Sequence, residues 1–185
     1  MSKPKLMIIL GSVREGRIGH PIAEWVREAA EADGRFDVDF VDLKELDLPM
    51  MDEPNHPRMQ QYTKQHTKDW AARVGAADAF IFAFPEYNHS FAAPIKNAID
   101  YLVVEWDRKP VGLVNWGGNS GGTRAQSALQ PVLVTLGMIL THGHIEANFP
   151  HPQVEEGKFT PNDQQKMVLG SQFDEFVQIH EALKK

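Results

Sequence analysis

Three short stretches hold most of the groups in this chain that could do chemistry. The first, "GSVREGRIGH" at residues 11–20, places a glycine, a serine and two arginines between an apolar run and a helical pattern starting near Ile18 or Gly19. A helix N-terminus presents unpaired N–H groups and the positive end of a dipole, so it attracts anions. Ser12 could donate a hydroxyl hydrogen bond there, and Arg14 and Arg17 could clamp phosphate oxygens. No Gly-Lys-Ser/Thr follows, and the spaced Gly-x-Gly-x-x-Gly of dinucleotide sites is missing. The competing reading is a surface loop with two solvated arginines.

The second stretch packs Pro85, Glu86, Tyr87, Asn88, His89 and Ser90 directly after a greasy run. Proline cannot extend a central strand, so the chain is expected to leave the sheet at Pro85. Pro94 then falls where the first turn of a helix tolerates it. Backbone amides, an asparagine amide and a tyrosine ring together suit a planar heterocycle with several donors and acceptors. Asn88 or Ser90 could instead serve only as helix caps, which leaves Glu86 and Tyr87 unexplained. The third stretch, "WGGNSGGTRAQSAL" at residues 116–129, carries four glycines in six positions around Asn119 and Ser120. Such glycines let backbone N–H groups approach a ligand, or merely permit a sharp turn.

The elements that must position these stretches follow from the apolar pattern. "KLMIILGS" (5–12), "DAFIFAFPEY" (78–87) and "KPVGLVNWGG" (109–118) are apolar at nearly every position, as strands covered on both faces are. Each leads into a helical stripe: Ile22, Trp25, Val26 and Ala29, then Ile95, Ala98, Ile99 and Leu102, then Ala125, Ala128, Leu129 and Val132. "FDVDFVDL" (36–43) reads as an edge strand and "MILTHGHIEA" (138–147) as a fifth. Helices are expected over about 63–74 and 161–183, and residues 49–62 read as a long surface loop. Strand–helix alternation predicts an α/β fold, an open doubly wound sheet of five parallel strands with helices on both faces. A closed barrel would need about eight strands. In such a sheet the ligand lies beyond the carboxyl ends of the strands, where all three stretches fall.

Length and composition bound the rest. At 185 residues, with 42% hydrophobic and 24% charged residues, the chain reads as one domain, 1–185. Cysteine is absent, which removes thiol catalysis, thiolate metal sites and disulfides, and fits a reducing cytoplasm. A net charge of −6 without a block of like charges disfavours nucleic acid and anionic membranes as partners. The apolar run at 6–10 is too short for a signal-peptide core, and no segment approaches membrane-spanning length. His142 and His144, with Glu146 and His151 nearby, could be imagined around zinc, but a strand-end surface pair is the expectation. His89, within the second stretch, could be a proton donor, but a solvent-facing position is the expectation; Trp106 and Trp116 are expected to anchor core or interface.

The order and spacing of "GSVREGRIG", "PEYNHSFAAPIKNAIDYL" and "GGNSGGTRA" resemble the NADPH-dependent FMN reductase family, flavodoxin-like enzymes that include quinone, azo-dye and chromate reductases. The resemblance covers roughly residues 5–145; "NFPHPQVEEGKFTP" after it matches no usable pattern. It implies a flavodoxin-like fold, with FMN phosphate contacts from Ser12, Arg14, Arg17, Ile18 and Gly19. It implies contacts to ribityl and ring from Pro85, Glu86, Tyr87 and Asn88, and ring-edge contacts from Gly117 and Gly118. NAD(P)H would be co-substrate, and a quinone, azo compound, metal oxyanion or free flavin the acceptor. No catalytic side chain and no metal are implied, because the flavin carries the chemistry. The family's habits further imply a homodimer or homotetramer. The alternative is a flavodoxin-type electron carrier without its own NAD(P)H oxidation, disfavoured by the arginines in the first loop and the modest acidity. An apo-regulatory subunit with an empty pocket is a third possibility.

Overall fold

The structure is a computed structural model and describes residues 3–184. Its centre is a sheet in the order β2 (Asp37–Asp42), β1 (Lys5–Leu10), β3 (Ala79–Tyr87), β5 (Pro110–Gly117), β6 (Ile139–Leu140), with these pairings parallel. The chain winds outward from β1 to β2, then returns to the other side of β1 for β3. That reversal opens a crevice between the carboxyl ends of β1 and β3.

Alternate strand residues feed two separate cores. Met7, Ile9, Phe80, Phe82, Phe84, Val111 and Leu113 face α3 (Gln65–Gly75), α4 (Ala93–Asp100) and α5 (Thr123–Thr135). Leu6, Ile8, Leu10, Ala79, Ile81 and Ala83 face α1 (Gly19–Asp33) and α6 (Asp163–Leu183). β3 thus shows phenylalanines to one side and mostly small residues to the other. On the crowded side Trp106 meets Phe80, Phe82 and Trp70 edge-on, with ring centroids 5.0, 5.9 and 6.1 Å away. Burial on both faces explains the near-continuous apolar runs.

The sheet has seven strands, not the five expected from the sequence. One addition is β4 (Ser90–Phe91), which folds back antiparallel on β3. Asn88 and His89 make the turn, both left-handed at φ 50° and 67°, the mirror-image geometry that matches strand twist. β3 therefore continues beyond Pro85 rather than leaving the sheet there. Ala83 bonds on the β1 side, accepting from the Gly11 N–H. Pro85, two residues on, faces that side beyond the end of β1, where its missing N–H costs nothing.

The other addition arises because the expected strand at 138–147 is split into β6 and β7 (Ile145–Asn148), which pair with successive parts of β5. Gln172 of α6 causes the break. Its fully buried amide donates to the Gly143 carbonyl at 2.8 Å and the Leu113 carbonyl at 3.3 Å, replacing ladder bonds. Gly112 makes room, since a Cβ there would stand 2.7 Å from the Gln172 side-chain oxygen. Beyond β7 a small hairpin, β8 (Val154–Glu155) and β9 (Lys158–Phe159), packs Phe159 on Trp25 of α1, centroids 5.4 Å apart. The stretch 49–62 includes a short helical turn at Pro57–Met59. It is pinned by Asn97, which donates to the Pro49 carbonyl, and by Tyr62, which donates to buried Glu105.

Candidate functional site

At the carboxyl edge of the sheet lies a cleft of about 290 Å³ lined from four loops. The loop after β1 contributes Ser12, Arg14, Gly16, Arg17 and Ile18, and β3 contributes Pro85, Glu86 and Tyr87. The end of β5 adds Trp116, Gly117 and Gly118.

The β1 loop is shaped by a buried ion pair. The Arg17 guanidinium donates twice to Asp42 and once to the Ser12 carbonyl, one of the Asp42 bonds at 2.7 Å. The side chains of Arg17 and Asp42 are 12% and 2% exposed, so this forked pair is shielded from water. Pairing of β1 with β2 brings Asp42 level with Leu10, which puts the carboxylate under the loop. Arg17 is thus committed to holding the loop. Arg14 stays exposed over the Tyr87 ring, 5.9 Å from its centroid, and forms no ion pair among the described residues. Buried Ser12 shares a 3.2 Å hydrogen bond with the Tyr87 hydroxyl. No side chain caps the start of α1 and its first turn holds no acidic residue, so its positive end is uncompensated, and its N-cap residue Ile18 lines the cleft.

The start of α5 is the opposite case. The Glu86 carboxylate accepts from the Ser120 hydroxyl at 2.6 Å, the Arg124 backbone N–H at 3.1 Å and the Arg124 guanidinium at 3.3 Å. Burial pushes the Glu86 carboxyl up, but those donors and the Ala125 amide outweigh it and hold the group below its ordinary range. Its side chain serves the α5 terminus, and the residue lines the cleft.

Gly19 and Asn88 lie outside the lining. Gly19 sits behind it, where a Cβ would stand 2.2 Å from the Trp116 ring; its lack of a side chain leaves room for the indole that lines the cleft. Asn88 is exposed at the hairpin turn beside exposed His89. Gly117 approaches closely because it is bare: a Cβ would meet the Gly122 N at 3.1 Å and the Glu86 Cβ at 3.2 Å.

A wall that sequence reasoning missed comes from Phe149, Pro150 and His151, after β7. Phe149 is 58% exposed and left-handed at φ 43°, its backbone N–H donating to the Gly117 carbonyl at 2.8 Å. The rule that ligands gather beyond strand ends, applied to the fifth strand, would have found it. The histidines at 142 and 144 diverge. Exposed His142 pairs with Glu175 at 2.8 Å, while half-buried His144 lies 3.3 Å from the Gln130 amide. Among the described residues no three His, Cys, Asp or Glu side chains gather as a metal site would require.

The cleft thus offers one free guanidinium, an open helix terminus, a buried hydroxyl and flat apolar walls. Ser12 has a tyrosine rather than a histidine as its partner, so nothing activates it as a nucleophile. The arrangement suits binding a flat, anionic organic molecule.

Known proteins resemble this chain in sequence and in fold. The model of the NADPH-dependent FMN reductase family matches residues 4–149. An NAD(P)H-dependent FMN reductase of Schizosaccharomyces pombe is 38% identical over 184 residues, covering 97% of this chain and 92% of that protein. An FMN-dependent NADPH-azoreductase of Staphylococcus haemolyticus is 31% identical over 137 residues, 74% of this chain and 71% of that one. Among solved structures, the flavoenzyme NAD(P)H:(acceptor) oxidoreductase FerB of Paracoccus denitrificans superposes with a TM-score of 0.76, covering 97% of this chain and 98% of that one. At 23% identity, that likeness concerns the fold alone.

Proposed function

The chain belongs to the NADPH-dependent FMN reductase family, and from that membership we propose that it is an FMN-dependent NAD(P)H oxidoreductase serving a small-molecule acceptor. A quinone, an azo compound, a metal oxyanion or free flavin fits the acceptor role. When bound, FMN supplies the redox chemistry, taking a hydride equivalent from NAD(P)H and releasing reducing equivalents to the acceptor.

The cleft's own features support FMN as the occupant. The observation that carries the reading is the contrast between two helix termini at this edge of the sheet: α5 is already filled by Glu86, whereas α1, whose N-cap Ile18 lines the cleft, is open. A phosphate monoester suits the α1 amides, with the Ser12 hydroxyl and the Arg14 guanidinium completing its shell. Arg17, locked on Asp42, orients that loop rather than touching the ligand. Pro85 and Tyr87 would give the ring a flat wall, and the N–H groups of Gly117 and Gly118 would be available to its polar edge. Trp116 and Phe149, which also line the cleft, would keep water from its apolar part. Gly19 acts by accommodating Trp116, and Asn88 by turning the hairpin that presents Tyr87.

None of these side chains needs to give or take a proton. Ser12, Arg14 and the amides bind and orient, and the open face of the cleft admits NAD(P)H and then the acceptor. We further propose that the whole chain acts as one domain and works as a homodimer in the cytoplasm. Exposed Met50, beside α4, and exposed Val134 on α5 support pairing through those helices. No helix among the described residues is long and apolar enough to cross a membrane.

The test is anaerobic mixing of the FMN-loaded protein with NADPH and, separately, NADH. Rapid bleaching of the visible flavin band is expected, with recovery on adding a quinone. Failure to bleach with either nucleotide would point instead to an electron carrier.

A further inference from the structure

Glu86 is a nearly buried carboxylate, 8% exposed, in the cleft lining. It is also the joint between two of the loops that face each other there. Its backbone belongs to β3, and its carboxylate reaches Ser120 and Arg124 at the start of α5. Two positive influences converge on it: the N-terminal end of α5, whose dipole acts through its unsatisfied N–H groups, and the Arg124 guanidinium. One negative charge offsets them. The field at this end of the cleft is therefore a balance, set by Glu86 against Arg124 and the helix.

We propose, on the reading that the cleft holds FMN, that Glu86 is a positioning residue that tunes how readily the bound cofactor is reduced. Two electrons and one proton, the hydride equivalent that NAD(P)H gives up on becoming NAD(P)⁺, add one negative charge to an isoalloxazine held there. With Glu86 ionised, the positive end of α5 is spent on the carboxylate and does little for that added charge. Remove the Glu86 charge alone, and the helix terminus and Arg124 favour the reduced cofactor. Remove the Arg124 charge, and Glu86, left with the helix terminus and Ser120 alone, opposes it more strongly. One unit charge in a partly buried site is worth about tenfold in such an equilibrium. For a two-electron couple that is about 30 mV.

Glu86→Gln keeps the shape and an acceptor oxygen for Ser120 while removing the charge. Arg124→Gln removes the opposite charge from a half-exposed position. The wild type and both variants are loaded with FMN, their affinities measured by quenching of flavin fluorescence, and their midpoint potentials measured by anaerobic titration against a reference dye. The expected result is a rise of about 30 mV for E86Q, tenfold in the reduced-to-oxidised preference, and a fall for R124Q. E86Q equal to or below the wild type, or both variants moving the same way, would overturn the proposal. So would a loss of FMN affinity in E86Q at unchanged potential, which marks a purely structural clasp. A wild type that binds no FMN fails at the earlier step and removes the cofactor reading along with the proposal.

Discussion

Replacing Gly19 by alanine tests the site through a residue that does not line it. Gly19 is the first residue of α1, and alanine there would ordinarily help, by up to about 1 kcal/mol in a helix interior and less in a first turn. The local geometry argues the other way. A Cβ would stand 2.2, 2.7 and 3.1 Å from three ring atoms of Trp116, well inside van der Waals contact. A fused indole has no flexible far end to swing aside, and Trp116 is 4% exposed within the α1-side core. Overpacking of that kind costs about 1–3 kcal/mol, which exceeds the propensity gain and leaves a net loss of about 1–2 kcal/mol. The indole lines the cleft, so the space it can move into is the cofactor's. FMN affinity should fall about tenfold or more, the equivalent of about 1.4 kcal/mol. Urea unfolding and fluorescence titration with FMN read the two effects. Gly75→Ala, at the end of α3 with open space around its Cβ position, is the control and should be neutral or mildly stabilising. A Gly19→Ala protein as stable as that control, with unchanged FMN affinity, would show that Trp116 has slack and would refute the packing argument.

Other perturbations separate the loop's scaffold from its ligand contacts. Asp42→Asn should cost about 3 kcal/mol by urea unfolding, because it strands the Arg17 charge in a buried pair; a loss below about 1 kcal/mol would mean water already reaches it. The same variant should weaken FMN binding through a loosened 12–18 loop, although Asp42 is not in the cleft lining. Glu53→Ala should cost about 1 kcal/mol at neutral pH, since Glu53 accepts from the Thr63 and Lys64 amides at the entrance to α3. Burial alone would raise the Glu53 pKa, but those amides draw it from 4.5 down to about 2. Its stabilisation is therefore complete above pH 4.5 and lost as the pH falls toward 2, so the gap between wild type and variant should close over that window. A gap independent of pH would remove the charge from the explanation.

How much of this was legible in the sequence depends on how local the cause is. The β1, β3 and β5 runs and the helical stripes were plain, because burial on both sheet faces writes itself into every residue. The cleft-lining residues Ser12, Arg14, Tyr87, Gly117 and Gly118 were legible for the same reason: they follow those strands directly. The partner of Arg17 was not, since only the pairing of β1 with β2 brings Asp42 beneath the loop. Glu86 looked like a ligand for the ring, and its engagement with α5 depends on β3 lying beside β5. The split of the last strand depends on Gln172, whose amide reaches in from α6. Phe149 was within reach of the strand-end rule, but its position rests on a left-handed backbone that a phenylalanine does not advertise.

A crystal structure of the protein grown with FMN would decide most directly where the mononucleotide sits. The phosphate should rest on the first N–H groups of α1 with Ser12 and Arg14 around it, and the ring should lie between Tyr87 and the Gly117–Gly118 backbone. Density for FMN elsewhere on the surface, or a phosphate held by Arg124 at α5 with Glu86 displaced, would contradict the account.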